Sequence, residues 1–216
     1  AMFWNTPAWS VSAEWFFYAI FPFVTWFVAG RLRSGRALAA GFVAAWLGGI
    51  ALYAGVIYLV TWVWPVQGEP LYILLVYTPL LRCSEFIAGC VLGQWVLRAP
   101  PQQGRLGHDA RLRHALLFGA IALVLLRVWM PAYTGPDRWL WLLDVAAKYG
   151  AFVLPFAAII LALAAGRTVL HGWLERPAMV LLGEASYALY IIHWSVVTLV
   201  QQRVFGAAAG PWLHAA

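Results

Sequence analysis

Charged residues are scarce in this chain. Aspartate, glutamate, lysine and arginine together make up only 10% of the 216 residues, whereas 64% are hydrophobic. A soluble domain of ordinary composition carries about 25% charged residues. The composition therefore excludes an ordinary soluble domain and predicts an integral membrane protein.

Cysteine is also rare. The chain has two, Cys83 and Cys90, and both fall in one apolar segment. If that segment is helical, a spacing of seven residues separates the two Cα atoms by about 10 Å, too far for a disulfide. The cysteines therefore predict no disulfide framework.

The motifs of soluble enzymes and of common metal sites are missing as well. The sequence contains no GxSxG, P-loop, GxGxxG or HExxH motif and no CxxC pair. Four of its five histidines are expected in loops or at helix ends, without the spacing of metal ligands. These four are His108, His114, His171 and His214. We expect no metal site and no bound cofactor.

Six apolar stretches approach the length of a membrane-spanning helix, which is about 20 residues. They are residues 9–29, 37–63, 80–97, 115–130, 144–165 and 184–204. Glycine, proline and clustered arginine mark the breaks between them. The sequence thus predicts an all-α fold, a polytopic transmembrane helix bundle.

The basic residues follow the pattern of membrane topology rather than that of a nucleic-acid partner, although the net charge is +6. Nine of them lie in the first, third and fifth loops, whereas the second and fourth loops carry one arginine in all. The nine are Arg31, Arg33, Arg36, Arg98, Arg105, Arg111, Arg113, Arg167 and Arg176. Loops rich in lysine and arginine remain in the cytoplasm. We therefore expect the odd loops inside and the start of the first stretch outside.

Five tryptophans would then lie near the outer membrane interface, where aromatic rings anchor membrane proteins. They are Trp62, Trp64, Trp129, Trp139 and Trp141.

Seven charged side chains fall toward the predicted outer end of the apolar stretches. They are Glu14, Arg82, Glu85, Arg127, Asp144, Lys148 and Arg203. Ionisable groups within a membrane usually face one another or a water-filled cavity, so we interpret these as the lining of an outward-opening chamber. The alternative is that the long side chains of Arg127, Lys148 and Arg203 only reach for the interface.

The first stretch places a carboxylate between a serine and a tyrosine. Ser10, Glu14 and Tyr18 are four residues apart and share one face of a helix. Glu14 could accept a hydroxyl proton or hydrogen-bond to a sugar. The structural alternative is a first-turn carboxylate favoured by the helix dipole, with Thr6 as the N-cap and Pro7 in the first turn.

The third stretch contains RCSEFIAGCVLG at residues 82–93. Arg82 and Glu85 are one helical turn apart, and Gly89 and Gly93 form a GxxxG face that would let another helix approach closely. The structural alternative is a local ion pair beside packing glycines.

The last stretch contains LGEASYALYIIHW at residues 182–194. Ser186, Tyr190 and His193 share one helical face, yet Ser186 and His193 are about 10 Å apart along the axis. They cannot form a direct serine–histidine dyad, so His193 is either a structural residue or a separate part of a site.

Together these stretches resemble the acyltransferase 3 family of membrane enzymes. Residues 7–18 resemble its PxWSLxxEWxFY pattern, residues 82–93 its RxxEFxxGxxLG pattern, and residues 182–196 its LGxxSYxLYLxHxPV pattern, with Ser195 in place of the proline. The resemblance implies transfer of an acyl group, acetyl in the expected case, from acyl-CoA to a hydroxyl of a cell-surface carbohydrate or lipid-linked glycan. It also implies a multi-pass protein of the bacterial inner membrane.

The resemblance implies a site as well. Glu14 and His193 are expected to be catalytic. The expected substrate-binding residues are Trp9, Ser10, Tyr18, Arg82, Glu85, Ser186 and Tyr190. The expected partners are acyl-CoA, a carbohydrate or glycolipid acceptor and the lipid bilayer, with no nucleic acid.

The resemblance implies a bundle of about ten helices, with a catalytic histidine on a helix that precedes the first signature. The sequence opens with Ala1-Met2-Phe3-Trp4 and without a signal peptide. We therefore expect residues 1–216 to be part of a single acyltransferase domain, without its first helices and its last one, and inactive alone. A transporter or channel with a polar outward-facing cavity is the alternative function, and a non-catalytic scaffold is a third.

Overall fold

All regular structure in the described part of the chain is helical. The computed structural model describes residues 8–63 and 78–205. Within those ranges we label the α-helices α1 (Ala8–Arg31), α2 (Gly35–Tyr58), α3 (Pro79–Arg98), α4 (Arg105–His108), α5 (Ala110–Trp129), α6 (Arg138–Gly150), α7 (Val153–Ala165), α8 (His171–Leu174) and α9 (Pro177–Phe205). A π-helical turn, Leu59–Val63, continues α2, and a 3₁₀ turn, Pro101–Gln103, precedes α4.

Six helical segments in the described ranges are long and apolar enough to span a membrane. They are Ala13–Arg31, Gly35–Val63, Pro79–Arg98, Ala110–Trp129, Arg138–Ala165 and Pro177–Val197. Each overlaps one of the six predicted stretches. The prediction of an all-α, polytopic transmembrane protein is therefore confirmed.

The fifth predicted stretch, residues 144–165, is two helices in the structure. Its first helix, α6, begins earlier than predicted because the Asp137 carboxylate accepts hydrogen bonds from the backbone N–H groups of Trp139 and Leu140, at 2.8 and 2.9 Å. The helix is then interrupted between Gly150 and Val153. Pro155 explains the break, since it has no N–H to donate to the carbonyl one turn earlier and its ring crowds that carbonyl.

The chain divides into two compact units. One consists of Ala1–Trp15 and Leu170–Ala216, and its described part contains the start of α1, α8 and α9. The other is Phe16–Val169 and contains the rest of α1 and α2 to α7.

In the second unit, α2 packs against both α3 and α6, and α5 packs against α7. Its core cluster joins Val28 of α1, Leu38 of α2 and Val91 of α3. The ring of Phe17 stacks on that of Phe86, with 4.8 Å between centroids. The core thus fixes the first three helices against one another.

Close helix approach occurs at glycines other than the predicted pair. In the described part of the chain, no atom lies within 4 Å of where a Cβ would stand at Gly89 or Gly93. A Cβ at Gly49 would overlap Ser84, and one at Gly150 would overlap Ile50. The expectation that Gly89 and Gly93 form a close-packing face is therefore wrong for these residues. Gly49 and Gly150 bring α2 against α3 and α6.

The arginine-rich loops of the second unit meet at one end. The Arg98 guanidinium donates to the carbonyls of Ala29 and Leu32 and so ties the third loop to the first. Arg113, which is only 8% exposed, donates from Nη2 to the carbonyl of Arg167 in the fifth loop at 3.0 Å. The structure therefore gathers the odd loops on one side, as the topology requires. That this side faces the cytoplasm stays a prediction.

Aromatic residues gather toward the other end of the same unit. The ring of Tyr58 stacks on that of Trp139, with 5.7 Å between centroids, and Trp62 meets Trp141 edge to face at 5.5 Å. Of the five tryptophans predicted to line the outer interface, these three cluster, Trp129 is exposed, and Trp64 lies outside the described residues.

Replacement of Gly150 by alanine should destabilise the protein. The new methyl group would collide with Ile50 and crowd Trp46, whose indole Nε1 donates to the carbonyl of Gly150 at 2.9 Å. We expect a loss of about 1–3 kcal/mol in the free energy of unfolding, typical of overpacking. Thermal unfolding of the purified protein in detergent measures it. Gly48→Ala is the matched control, because a methyl group there meets nothing within 4 Å.

Replacement of Arg113 by methionine should also destabilise the protein. Arg113 Nη1 donates to the carbonyls of Leu106 and Gly107 at 2.7 and 3.0 Å, in addition to its bond to Arg167. Loss of these donors from a buried site should cost at least about 1–3 kcal/mol. Arg111→Met, at an exposed position two residues earlier, should leave the unfolding temperature unchanged. Equal effects of the two variants would contradict the assignment.

Candidate functional site

The polar region of the second unit includes an ion pair on α3. Arg82 Nη1 lies 3.0 Å from Glu85 Oε1, and both side chains are about one-third exposed. The pair forms because residues three apart on a helix are neighbours. The local ion pair that the sequence offered as the structural alternative is therefore present, and substrate binding by Arg82 and Glu85 stays a prediction.

Tyr149 on α6 connects this ion pair to the neighbouring helices. Its ring lies 5.0 Å below the guanidinium carbon of Arg82 and stacks on the ring of Tyr53 at 4.3 Å. Its hydroxyl donates to the carbonyl of Leu81 and lies 3.2 Å from Ser84 Oγ. A phenol has a single proton, so Ser84 is the donor in the second bond. Tyr149 therefore holds α2, α3 and α6 together beside the Arg82–Glu85 pair.

Asp144 organises a second charged cluster on α6. Its carboxylate lies 2.6 Å from Lys148 Nζ and 3.8 Å from Arg127 Nη2 of α5. The backbone N–H of Tyr133 donates to the same carboxylate at 3.1 Å. Arg127 and Lys148 are therefore paired with an acid rather than extended only toward an interface, which agrees with the interpretation of paired charges.

Both groups border a cavity of about 620 Å³ in the second unit. Arg82, Glu85 and Lys148 line it together with the rings of Tyr53 and Tyr149. The remaining lining is apolar and comes from α2, α3, α6, the break after α6, and α7. The apolar lining residues are Phe42, Ala88, Gly89, Leu92, Val145, Phe152, Val153, Phe156, Ala157 and Ile160.

The predicted residues of the first signature all lie on α1. The helix is continuous from Ala8 to Arg31, so positions 10, 14 and 18 share a face as predicted. Glu14 is partly exposed, and no cation pairs with its carboxylate in the described part of the chain. Tyr18 is 70% exposed. The side chains of Trp9 and Ser10 lie outside the described residues, as do Thr6 and Pro7, so the expected N-cap is not described.

The predicted residues of the last signature lie on α9. Ser186 Oγ donates to the carbonyl of Gly183 at 2.6 Å, one turn earlier. His193 Nδ1 makes a 2.6 Å hydrogen bond with the carbonyl of Tyr190, and the two rings are 5.7 Å apart. Because a carbonyl oxygen only accepts, Nδ1 carries the proton in this bond. The other ring nitrogen, Nε2, then remains for a second hydrogen bond.

Tyr53 and Tyr149 border the cavity but were not among the site residues predicted from the sequence. The signal was present, because a phenol in an apolar helix needs a hydrogen-bond partner when it is buried. Tyr149 is only 8% exposed. Its partners are 65 and 68 residues away, a separation at which sequence spacing carries no information about contact.

The described residues contain neither a disulfide nor a cluster of metal-ligating side chains at this site. Cys83 and Cys90 are both free thiols on α3. No group of three or more histidine, cysteine, aspartate or glutamate side chains capable of holding a metal ion occurs among residues 8–63 and 78–205.

Comparison with known proteins identifies the family of this chain. The family model described as "Acyltransferase domain" matches residues 2–216. A similar curated protein is the acyltransferase MdmB of Streptomyces mycarofaciens, which is 31% identical over 217 residues, covering 95% of this chain and 48% of that protein. The chain therefore spans about half the length of this relative. No solved structure matches.

The matched residues include all three signatures, from residues 7–18 to residues 182–196. The comparisons do not favour the alternative of a transporter or channel. The chain belongs to the acyltransferase domain family, as its three signatures predicted.

Proposed function

We propose that the protein transfers an acyl group from acyl-CoA to a hydroxyl of a cell-surface carbohydrate or lipid-linked glycan. The observation that carries this proposal is the cavity of the second unit. An arginine, a glutamate, a lysine and two tyrosines line it together with apolar residues, in a chain that belongs to an acyltransferase family. Such a cavity offers hydrogen bonds to a hydroxyl-bearing acceptor and apolar surface to an acyl group.

In the proposed reaction the acyl group passes directly from the sulfur of CoA to the hydroxyl oxygen of the acceptor. The acceptor hydroxyl oxygen attacks the carbonyl carbon of the thioester, the new C–O bond forms, and the C–S bond breaks. A base takes the hydroxyl proton, and the CoA sulfur leaves and becomes a thiol by gaining a proton. The protein must therefore supply a proton acceptor and donors that stabilise the negative oxygen of the intermediate.

We assign the proton transfer to Glu14 and His193. Glu14 has no cationic partner in the described residues, so its carboxylate is available to accept. The hydrogen bond from His193 Nδ1 to the Tyr190 carbonyl holds the imidazole with Nε2 free to act as a base. We also propose that a further histidine, which the family resemblance implies ahead of the first signature, takes part in catalysis.

We assign substrate binding to residues of all three signatures. Arg82 provides guanidinium donors at the cavity, and Glu85 both orients this group and accepts hydrogen bonds from sugar hydroxyls. Ser186, although it donates within α9, retains its acceptor lone pairs. The remaining proposed binding residues are Trp9, Ser10, Tyr18 and Tyr190.

The protein is a multi-pass membrane protein, and we propose the bacterial inner membrane as its location. The gathering of the arginine-rich loops at one end of the second unit supports a cytoplasmic side there. The cavity groups Arg82, Glu85 and Lys148 would then lie toward the outer side, where a cell-surface acceptor is available.

Glu14→Gln should abolish most of the acyl transfer. The amide keeps the size of the side chain and removes its ability to accept a proton, so we expect a decrease of about 10²-fold or more. The measurement is transfer from radiolabelled acyl-CoA to a cell-envelope fraction, in membranes from cells that express the complete gene product at matched abundance. The control is Glu184→Gln, an exposed carboxylate on α9. Full activity of Glu14→Gln would remove Glu14 from the mechanism, and failure of the wild type with every acyl donor would overturn the proposed function.

Exchange of the charges of Arg82 and Glu85 separates a binding role from a structural one. Arg82→Glu and Glu85→Arg should each reduce transfer, and the double variant should regain the ion pair and normal abundance but not activity. The expected coupling energy for stability is below about 1 kcal/mol, because both side chains are partly exposed. Recovery of transfer in the double variant would show that the pair only stabilises α3.

A further inference from the structure

The cavity of the second unit is much larger than an acetyl group requires. Its volume of about 620 Å³ falls in the range of roughly 300–1,000 Å³ that is typical of sites for drug-sized ligands. A sugar acceptor at the polar end, together with an acetyl group of two carbon atoms, would leave the apolar part of this volume without contacts. One side of the cavity is open, and the apolar part therefore has room for a larger occupant than an acetyl group.

The lining of the cavity changes along its length. Lys148 and Tyr149 of α6 and Arg82 and Glu85 of α3 make up one end. From Arg82 to Leu92, ten residues of α3 rise by about 15 Å, which is half of the roughly 30 Å hydrocarbon core of a bilayer. Past Glu85, the lining that α3 contributes is Ala88, Gly89 and Leu92. We call this stretch and the facing apolar residues of α2 and α7 the apolar limb of the cavity: Ala88, Gly89, Leu92, Phe42, Val153, Phe156, Ala157 and Ile160.

One end of the apolar limb adjoins the protein core, and one side reaches the surface of the unit. Phe42 lines the limb and also packs against the core cluster of Val28, Leu38 and Val91. Phe156 and Ile160 are about half exposed. A linear hydrocarbon chain fits this shape, because it can lie along α3 with its polar end at Arg82 and its tail toward Phe42.

We propose that the apolar limb binds the hydrocarbon chain of the transferred acyl group, so that the enzyme uses acyl donors longer than acetyl and Gly89 sets the length that is accepted. This inference rests on the proposed function. The polar end of the cavity holds the thioester carbonyl near the Arg82 guanidinium, and the chain extends past Gly89. It replaces the expectation of acetyl that came from the family resemblance.

Gly89 is the position at which the length of the limb can be changed, because the space that a side chain would take there is empty. No atom lies within 4 Å of a Cβ placed there, and the residue lines the cavity. The first atom of a side chain at this position would therefore meet none of the described residues. Gly93, one turn further along α3, has the same empty surroundings but does not line the cavity. The two positions form a matched pair.

The first test measures donor preference with the complete gene product in membranes. The donors are the acetyl, butyryl, hexanoyl, octanoyl and decanoyl thioesters of CoA, and the readout is kcat/KM for each. Each buried methylene contributes about a fourfold gain in binding. We expect the wild type to prefer octanoyl to acetyl, Gly89→Leu to lower the octanoyl-to-acetyl ratio by at least about tenfold, and Gly89→Ala to fall between them. Gly93→Leu should keep the wild-type ratio. A wild-type preference for acetyl, or equal ratios in the two leucine variants, overturns the proposal.

The second test detects the chain without turnover. An octanoyl-CoA analogue with a diazirine on its terminal carbons is photoactivated, and the cross-linked peptides are identified by mass spectrometry. We expect labelling in α3 around Leu92 and in α7 around Phe156, displaced by octanoyl-CoA and reduced in Gly89→Leu but not in Gly93→Leu. This labelling in a protein that transfers no acyl group would support the chain site while the proposed function fails.

A membrane lipid is the competing occupant. A diazirine phospholipid that labels the same α3 and α7 peptides and is not displaced by octanoyl-CoA would assign the limb to lipid and overturn the proposal. Absence of labelling by both probes would overturn it as well.

Discussion

The packing of the second unit depends on the contacts of one residue, Tyr149. Its hydroxyl bonds to the backbone of Leu81 and to Ser84 on α3, and its ring lies between Tyr53 of α2 and the guanidinium of Arg82. In an apolar surrounding a buried phenol must satisfy its hydroxyl inside the protein. This requirement joins α2, α3 and α6 at one level and leaves the cavity beside them.

The charges of this unit follow the same constraint. Arg82 pairs with Glu85, while Arg127 and Lys148 share Asp144. Charges inside a membrane are costly unless they are paired or hydrated. The pairs therefore form within the protein and place donors, acceptors and an apolar surface next to one another. That combination suits the acyl transfer that we propose.

The sequence predicted the helices well, because a spanning helix leaves a local signal of about 20 apolar residues. It also offered the Arg82–Glu85 ion pair as the structural alternative to a binding role, since both residues are on one helical turn. It failed where distant residues decide the outcome. Gly89 and Gly93 were expected to pack against a helix, whereas Gly49 and Gly150 do so. The break between α6 and α7 was also missed, although Pro155 is sufficient to explain it.

The sequence by itself determined the membrane class, the six spans and the three family signatures, and it predicts which side the arginine-rich loops face. These properties depend on local composition and on spacing within one helix. Only the tertiary structure decided which polar groups meet, that Asp144 joins α5 to α6, and that a cavity of about 620 Å³ lies beside Tyr149. Helix packing brings together residues far apart in the chain, and no periodicity in the sequence records which faces will meet.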